Sequence, residues 1–99
     1  FGVSMINQLY GYIGGIRMNG SAATALCYVA AGRLDGWMEK FIGQWDIAAG
    51  TLIVSEAGGK VTAFNGNSQY SYSDNIVAAN TIIHQELLNV ISENKDKLI

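Results

Sequence analysis

The sequence has little charge, one cysteine and no strongly basic stretch. Only 14% of its 99 residues are charged, and six Lys and Arg residues against eight Asp and Glu residues give a net charge of -2 at pH 7. Proteins that bind nucleic acid neutralise its phosphates with clustered basic residues, whereas the basic residues here are scattered. The composition therefore predicts that nucleic acid polymers are not partners.

The lone cysteine, Cys27, excludes an internal disulfide bond. It lies in an apolar run that we expect to be buried, where a thiol is inert, and this usage fits a reducing compartment, so the predicted location is cytoplasmic. The uncharged run 21–32 is shorter than a membrane-spanning helix and contains Ser21 and Thr24. We therefore expect no membrane span and no membrane partner.

The length and the first residues indicate a fragment. Ninety-nine residues suffice for at most one domain with a modest core. The chain begins with Phe1 and has no basic residue before Arg17, which fits neither an intact reading frame nor a signal peptide. We expect that the chain has lost its beginning, and that the sparse charge reflects faces covered by a missing part.

Caps, glycines and apolar spacing predict the order helix, strand, helix, strand, strand, helix. Helices are predicted at 20–32, 45–57 and 80–95, strands at 34–41, 60–64 and 75–79, a turn at 65–67, a polar loop at 68–74, and a short strand or irregular lead-in at 1–16. This order predicts an α/β fold in which helices pack on a short mixed or parallel sheet.

The stretch 45–59 is the one around which the chain is organised. Asp46 precedes a helical run that begins with small residues, has Glu56 as its one charged residue and ends at two glycines. Residues 48–50 have almost no side-chain bulk, so a ligand or another backbone can approach this helix start. On capping statistics alone, an aspartate here is more often an N-cap than a metal ligand, and both interpretations stay open at this point.

Three segments of the chain, in their order and spacing, resemble the C-terminal half of the inositol monophosphatase family. They are Arg17-Met18-Asn19-Gly20-Ser21-Ala22-Ala23, Asp35-Gly36-Trp37-Met38-Glu39, and the run from Trp45-Asp46 to Gly58-Gly59, and the closing Ile76-Val77-Ala78-Ala79-Asn80 is similar as well. The resemblance covers about residues 17–91. It implies a layered α/β/α/β/α fold, with residues 1–99 forming the C-terminal subdomain and the N-terminal half absent.

The resemblance also implies an activity and a set of site residues. The family consists of magnesium-dependent, lithium-sensitive phosphomonoesterases that are usually dimeric. Asp46 matches its C-terminal metal-binding aspartate, and Glu39 matches the acidic residue that contacts substrate hydroxyls. Gly20, Ser21 and Ala22 match the helix start that lines the substrate pocket. The metal assignment is chemically sound, because Mg²⁺ prefers carboxylate oxygens.

No catalytic residue is expected in this chain. The family's remaining metal ligands and its water-activating threonine come from a Gly-Glu-Glu segment and an Asp-Pro-x-Asp-Gly-Thr segment, and this sequence contains neither and has no proline. They would lie on the missing half. The implied function is hydrolysis of inositol monophosphate or a related sugar or nucleotide phosphate, and the alternative is a truncated binding module that keeps the fold without catalysis.

Three further polar residues receive structural interpretations. Arg17 is assigned to the surface or to a subunit contact, and Glu56 to the last turn of its helix. His84 is expected to be exposed on the final helix, without a partner that would make it a ligand.

Overall fold

The computed structural model describes residues 2–16, 21–40, 47–68 and 75–94. Within these ranges the order of elements is α1 (Gly2–Leu9), α2 (Ala22–Ala30), β1 (Gly36–Lys40), α3 (Ala48–Glu56), β2 (Lys60–Thr62), β3 (Asn75–Ala79) and α4 (Thr81–Glu93). From α2 onwards the order is helix, strand, helix, strand, strand, helix, as predicted. None of the helices in the described ranges has both the length and the apolarity needed to cross a bilayer.

The three strands form one sheet with the order β1-β3-β2, and both pairings are antiparallel. The prediction of a mixed or parallel sheet is therefore wrong for the described strands. One part of the reasoning was correct, because the two strands that α3 connects, β1 and β2, run in the same direction. The later strand β3 inserts between them and runs the other way, which a pattern of alternating elements cannot reveal.

Helices cover both faces of this sheet. Alternate residues of β3 point to opposite faces, so Ile76 and Ala78 pack with α2 and α3, whereas Val77 packs on the side of α1 and α4. We call these two sides the α2–α3 face and the α1–α4 face. The buried residues of the first are Leu26, Val29, Ile47, Val54, Val61, Ile76 and Ala78. Those of the second are Met5, Phe64, Val77 and Ile91.

Helix α1 corrects the prediction of a strand or irregular lead-in at 1–16. Met5 and Leu9, four residues apart, lie on one side of this helix and pack in the core of the α1–α4 face. The side chain of Asn94 also donates a hydrogen bond to Gln8 Oε1 at 2.6 Å, which ties α1 to the end of α4. Only the glycine-rich part at 10–16 is irregular. Because of its glycines the whole stretch 1–16 was predicted without a helix, and the short helical pattern before residue 10 was missed.

Helix α2 is buried on one side only. Ala25, Leu26 and Val29 face the sheet and are buried, whereas Cys27 is exposed. The prediction that Cys27 is a core thiol is therefore wrong. Nearly every residue of this helix is apolar, so composition does not distinguish the inward from the outward side, and only packing does.

Helix α3 begins later than predicted. Its N-cap position is occupied by Ile47, which makes no side-chain capping hydrogen bond. The simple interpretation of Asp46 as the N-cap is therefore not supported, and Asp46 itself lies outside the described residues. The predicted end is confirmed, because Gly58 follows the helix with φ of +89°, a conformation that glycine adopts without strain.

The strand predicted at 60–64 is shorter in the structure and ends at Thr62. The predicted turn at 65–67 is confirmed, since the N–H of Ala63 donates to the carbonyl of Asn67 at 2.9 Å and Gly66 has φ of +84°. Of the predicted polar loop, residues 69–74 lie outside the described ranges.

Helix α4 begins where the sequence predicts. The side chain of Asn80 accepts hydrogen bonds from the backbone N–H groups of Ile82 and Ile83, at 3.1 and 2.9 Å. The prediction that His84 is exposed is wrong, because only 1% of this residue is accessible. His84 lies one turn before Leu88 and therefore falls on the inward side of the helix.

The close approach of α3 to α2 can be tested at Gly50. A Cβ atom added there would lie 2.6 Å from Cδ1 and 2.7 Å from Cβ of Leu26, and the second of these atoms cannot rotate away. We expect Gly50→Ala to lower the free energy of unfolding by about 1–2 kcal/mol, because overpacking outweighs the gain in helix propensity. Urea unfolding measures this change.

Gly14→Ala is the matched control, because a Cβ atom at Gly14 meets nothing within 4 Å. Equal midpoints for Gly50→Ala and Gly14→Ala would contradict the packing between α2 and α3 described above.

Candidate functional site

The starts of helices α2 and α3 lie at the same edge of the sheet. Residues 31–35 join α2 to the beginning of β1, and residues 57–59 join α3 to the beginning of β2. Since β1 and β2 run in the same direction, each helix runs back against its strand and starts near the strand's far end. The contact of Gly50 with Leu26 holds the two helices side by side. We call this the helix-start edge, defined by Ser21, Lys40 and Ile47.

Glu39 lies at this edge, one residue before the end of β1. Its partner across the strand pair is Ile76, and by alternation Glu39 shares a face with Trp37, which packs against the core of the α2–α3 face. The carboxylate is exposed and is on the same face as the two helix starts. An exposed carboxylate in this position can accept hydrogen bonds from hydroxyl groups of a ligand.

Ser21 and Ala22 form the start of α2. The Oγ atom of Ser21 accepts a hydrogen bond from the N–H of Thr24 at 3.2 Å, so Ser21 is the N-cap, as predicted. Its hydroxyl hydrogen has no acceptor within the described ranges, so it can donate to a ligand oxygen. The small side chain of Ala22 is half-buried against the α2–α3 face. Unpaired N–H groups at such a helix start favour an anionic group.

The other predicted site residues, Gly20 and Asp46, lie outside the described residues, as does Arg17. Ile47, the residue that follows Asp46, is buried in the core of the α2–α3 face. Its position at the helix-start edge is compatible with a role for Asp46 there. That role, and the pocket role of Gly20, stay predictions.

The described residues do not form a metal centre by themselves. They contain no group of three or more His, Cys, Asp or Glu side chains that could hold a metal ion. A hard cation such as Mg²⁺ needs several oxygen ligands, and Glu39 is the carboxylate that we place at the helix-start edge within the described ranges. The donor set of this part of the chain therefore does not fit a complete magnesium site, and no reaction step through a metal is derived from it.

A buried polar pair on the opposite face was missed by the sequence interpretation. His84 Nε2 lies 2.8 Å from Oγ1 of Thr62, and both residues are buried. Burial lowers the pKa of His84, and the positive charge of Lys60 lowers it further. His84 lies three residues before Leu87 and seven before Ile91, and positions with this spacing share one side of a helix. This spacing was the sequence signal that could have predicted the burial of His84.

Helix starts that meet at one edge of an α/β sheet are a typical place for small anionic ligands to bind. A family model described as the inositol monophosphatase family matches residues 3–96. The chain belongs to the inositol monophosphatase family.

Individual relatives agree with this assignment. The Nus factor SuhB of Pasteurella multocida is 52% identical over 88 residues, which are 89% of this chain and 33% of that protein. A Thermotoga maritima protein named fructose-1,6-bisphosphatase/inositol-1-monophosphatase is 47% identical over 78 residues, 79% of this chain and 30% of that protein. A solved structure of a Thermotoga maritima IMPase superposes with a TM-score of 0.90 at 40% identity, covering 98% of this chain and 38% of that one.

These findings confirm the predicted family and the α/β class. The chain spans about a third of the length of the curated relatives it matches. Ser21, Ala22 and Glu39 lie at one edge, which is compatible with the roles assigned to them. Those roles stay predictions. The exclusion of nucleic acid as a partner gains no support, since several relatives are named Nus factor.

The capping role of Ser21 can be separated from its predicted role in the pocket. We expect Ser21→Ala to lower the free energy of unfolding by about 1 kcal/mol, because the N–H of Thr24 loses its acceptor. Ser21→Asn, which keeps a capping oxygen, should lose little. Urea unfolding of the three proteins makes the comparison, and equal stability of the Ala and Asn variants would rule out the cap.

Proposed function

We propose that residues 1–99 are the C-terminal subdomain of a Mg²⁺-dependent phosphomonoesterase, to which they contribute part of the substrate pocket and one metal ligand. The family match over residues 3–96 carries this proposal. The convergence of two helix starts and Glu39 at one edge supports it, because phosphate and hydroxyl groups need such partners. We call the longer protein that would contain this chain the full-length parent.

The proposed substrate is inositol monophosphate or a related sugar or nucleotide phosphate. Glu39 accepts hydrogen bonds from substrate hydroxyls, and Gly20, Ser21 and Ala22 line the pocket with little side-chain bulk. Asp46 supplies one carboxylate ligand. Asp46, together with ligands from the rest of the full-length parent, would hold Mg²⁺, which would supply positive charge for the phosphoryl transition state and lower the pKa of a bound water. The Thermotoga maritima relative named for fructose-1,6-bisphosphatase and inositol-1-monophosphatase activities supports small phosphate esters as the substrate class.

The outer side of α2 and α3 supports the view that the chain is part of a larger body. Helix α2 contains no charged residue, and α3 contains only Glu56. Tyr28, Leu52 and Ile53 are exposed there, by 37%, 62% and 45% respectively. An apolar surface with so few charges is usually covered in the working protein. We assign its cover to the remaining part of the full-length parent.

The remaining parts of the proposal concern assembly and location. The full-length parent is a lithium-sensitive homodimer, as is usual in the family that this chain belongs to. It works in the cytoplasm, where the single exposed thiol of Cys27 stays reduced.

A second candidate is a binding module that keeps the fold without catalysis. The name Nus factor, which several relatives carry, favours a role of this kind. The segment upstream of Phe1 discriminates between the two functions. The Gly-Glu-Glu and Asp-Pro-x-Asp-Gly-Thr segments there would indicate the enzyme, and their absence would indicate the module.

Asp46→Asn in the full-length parent tests the proposed metal ligand. We expect turnover to fall by orders of magnitude with the fold unchanged, because the substitution removes one anionic oxygen from a Mg²⁺ site. Steady-state turnover and calorimetric magnesium titration measure the effect. Glu86→Gln is the control, since Glu86 is an exposed carboxylate on α4 and should behave like the wild type. Wild-type turnover and magnesium affinity in Asp46→Asn would remove this residue from the site.

The isolated chain provides a further test. Residues 1–99 alone should show no phosphatase activity even at high magnesium, because the ligands for a complete metal centre lie elsewhere. They should also self-associate through the outer side of α2 and α3, which light scattering would detect. Co-expression with the upstream part of the parent should restore both solubility and metal-dependent activity. Lithium-inhibited hydrolysis by the pure 99-residue chain would overturn the proposal.

A further inference from the structure

His84 is a titratable group that the proposed phosphatase site does not use. It lies on α4, only 1% of it is accessible, and it belongs to the α1–α4 face, on the other side of the sheet from the helix-start edge. Its Nε2 atom is 2.8 Å from Oγ1 of Thr62 on β2. This hydrogen bond joins the last helix to an outer strand of the sheet.

The hydrogen bonds of Thr62 decide which nitrogen of His84 carries the proton. The hydroxyl of Thr62 donates its single hydrogen to the carbonyl of Ala63 at 2.8 Å. Its Oγ1 atom therefore accepts from His84, so Nε2 carries the hydrogen and Nδ1 has the lone pair. Nδ1 is buried and has no hydrogen-bond partner among the described residues. A proton added to His84 must go to Nδ1, where the second N–H group would be buried without an acceptor.

The described surroundings offer no negative charge to balance a protonated His84. Helix α1 and strand β3 contain no titratable side chain, and on β2 Thr62 shares its face with the positively charged Lys60. The two acidic residues of α4, Glu86 and Glu93, lie about 160° and 180° around the helix from His84.

Strand β1 approaches α4 through Gly36, against which Ile83 and Leu87 pack. By alternation Lys40 lies on the same face as Gly36, and Glu39 lies on the opposite face, towards α2 and α3. Every described element packed against α4 therefore contributes either no charge or a positive charge on the side of His84.

We propose that the His84–Thr62 pair is an acid-sensitive switch that holds α4 on the sheet while His84 is neutral and releases it when His84 is protonated. Since Asn94 at the end of α4 holds Gln8 of α1, release of α4 also loosens α1. The α2–α3 face, which carries the helix-start edge, keeps its own core and stays packed. This inference does not depend on the proposed phosphatase activity.

The direction of the pH effect follows from linkage. Burial and Lys60 lower the pKa of His84 in the folded state below its usual value of 6.5. The unfolded or released state therefore binds more protons, and stability falls as the pH drops below 6.5 towards the lowered pKa of the folded state. Each unit by which the pKa is lowered increases the opening of α4 by up to about tenfold on acidification.

The single histidine of the chain makes a direct test possible. In a complex of residues 1–99 with the upstream part of the full-length parent, in which only residues 1–99 carry ¹³C- and ¹⁵N-labelled histidine, NMR should show the Nε2–H tautomer at pH 7.5 and titration below 6.5. Hydrogen exchange at pH 7.5 and 5.0, corrected for the intrinsic rate, should show that α4 and α1 lose protection at the lower pH while α2 and α3 keep theirs.

His84→Leu is the matched variant, since it fills the same site with a side chain that cannot be protonated. Its protection in α4 should be the same at both pH values, so that at pH 5.0 α4 is better protected than in the wild type. A His84 titration at or above 6.5, or equal loss of protection in both proteins, would overturn the switch. The NMR titration of the unsubstituted chain tests the switch even where the variant does not fold.

Discussion

The central position of β3 is the constraint on which the rest of the structure depends. Ile76 and Val77 are fully buried on opposite faces, and burial of each such side chain contributes about 1.5–3 kcal/mol. Because β3 pairs with both β1 and β2, it fixes the register of Glu39 and of Thr62 at once. A slip of one residue would turn both polar side chains to the wrong faces of the sheet.

The two faces of the sheet serve different purposes. The α2–α3 face carries two helices with few charges, whose starts meet the end of β1 beside Glu39. Close packing at Gly50 brings those helices together. The α1–α4 face closes the chain on itself and holds the polar pair of His84 and Thr62. The proposed binding edge and the pair of His84 and Thr62 thus lie on opposite faces of one sheet.

Burial of a histidine in a small fold has an energetic cost that depends on its protonation state. Neutral His84 is held by one hydrogen bond, while its second nitrogen is buried without a partner in the described part of the chain. Such a group contributes to a unique arrangement of α4 only as long as it stays uncharged, because a buried charge without a counterion is strongly unfavourable. The same residue that positions the last helix therefore also makes its packing depend on pH.

The sequence by itself determined the family, the α/β class, the helices at α2, α3 and α4, and the cap at Ser21. These features rest on local signals: glycines after helices, side chains that cap them, and segments with a specific order and spacing. Only the tertiary structure decided that β3 lies between β1 and β2, that Cys27 is exposed, and that His84 is buried. Each of these features depends on which elements meet in space. In a helix that is apolar on nearly all sides, the packing partner decides which side is buried, and it likewise decides whether a polar residue at an apolar position is buried.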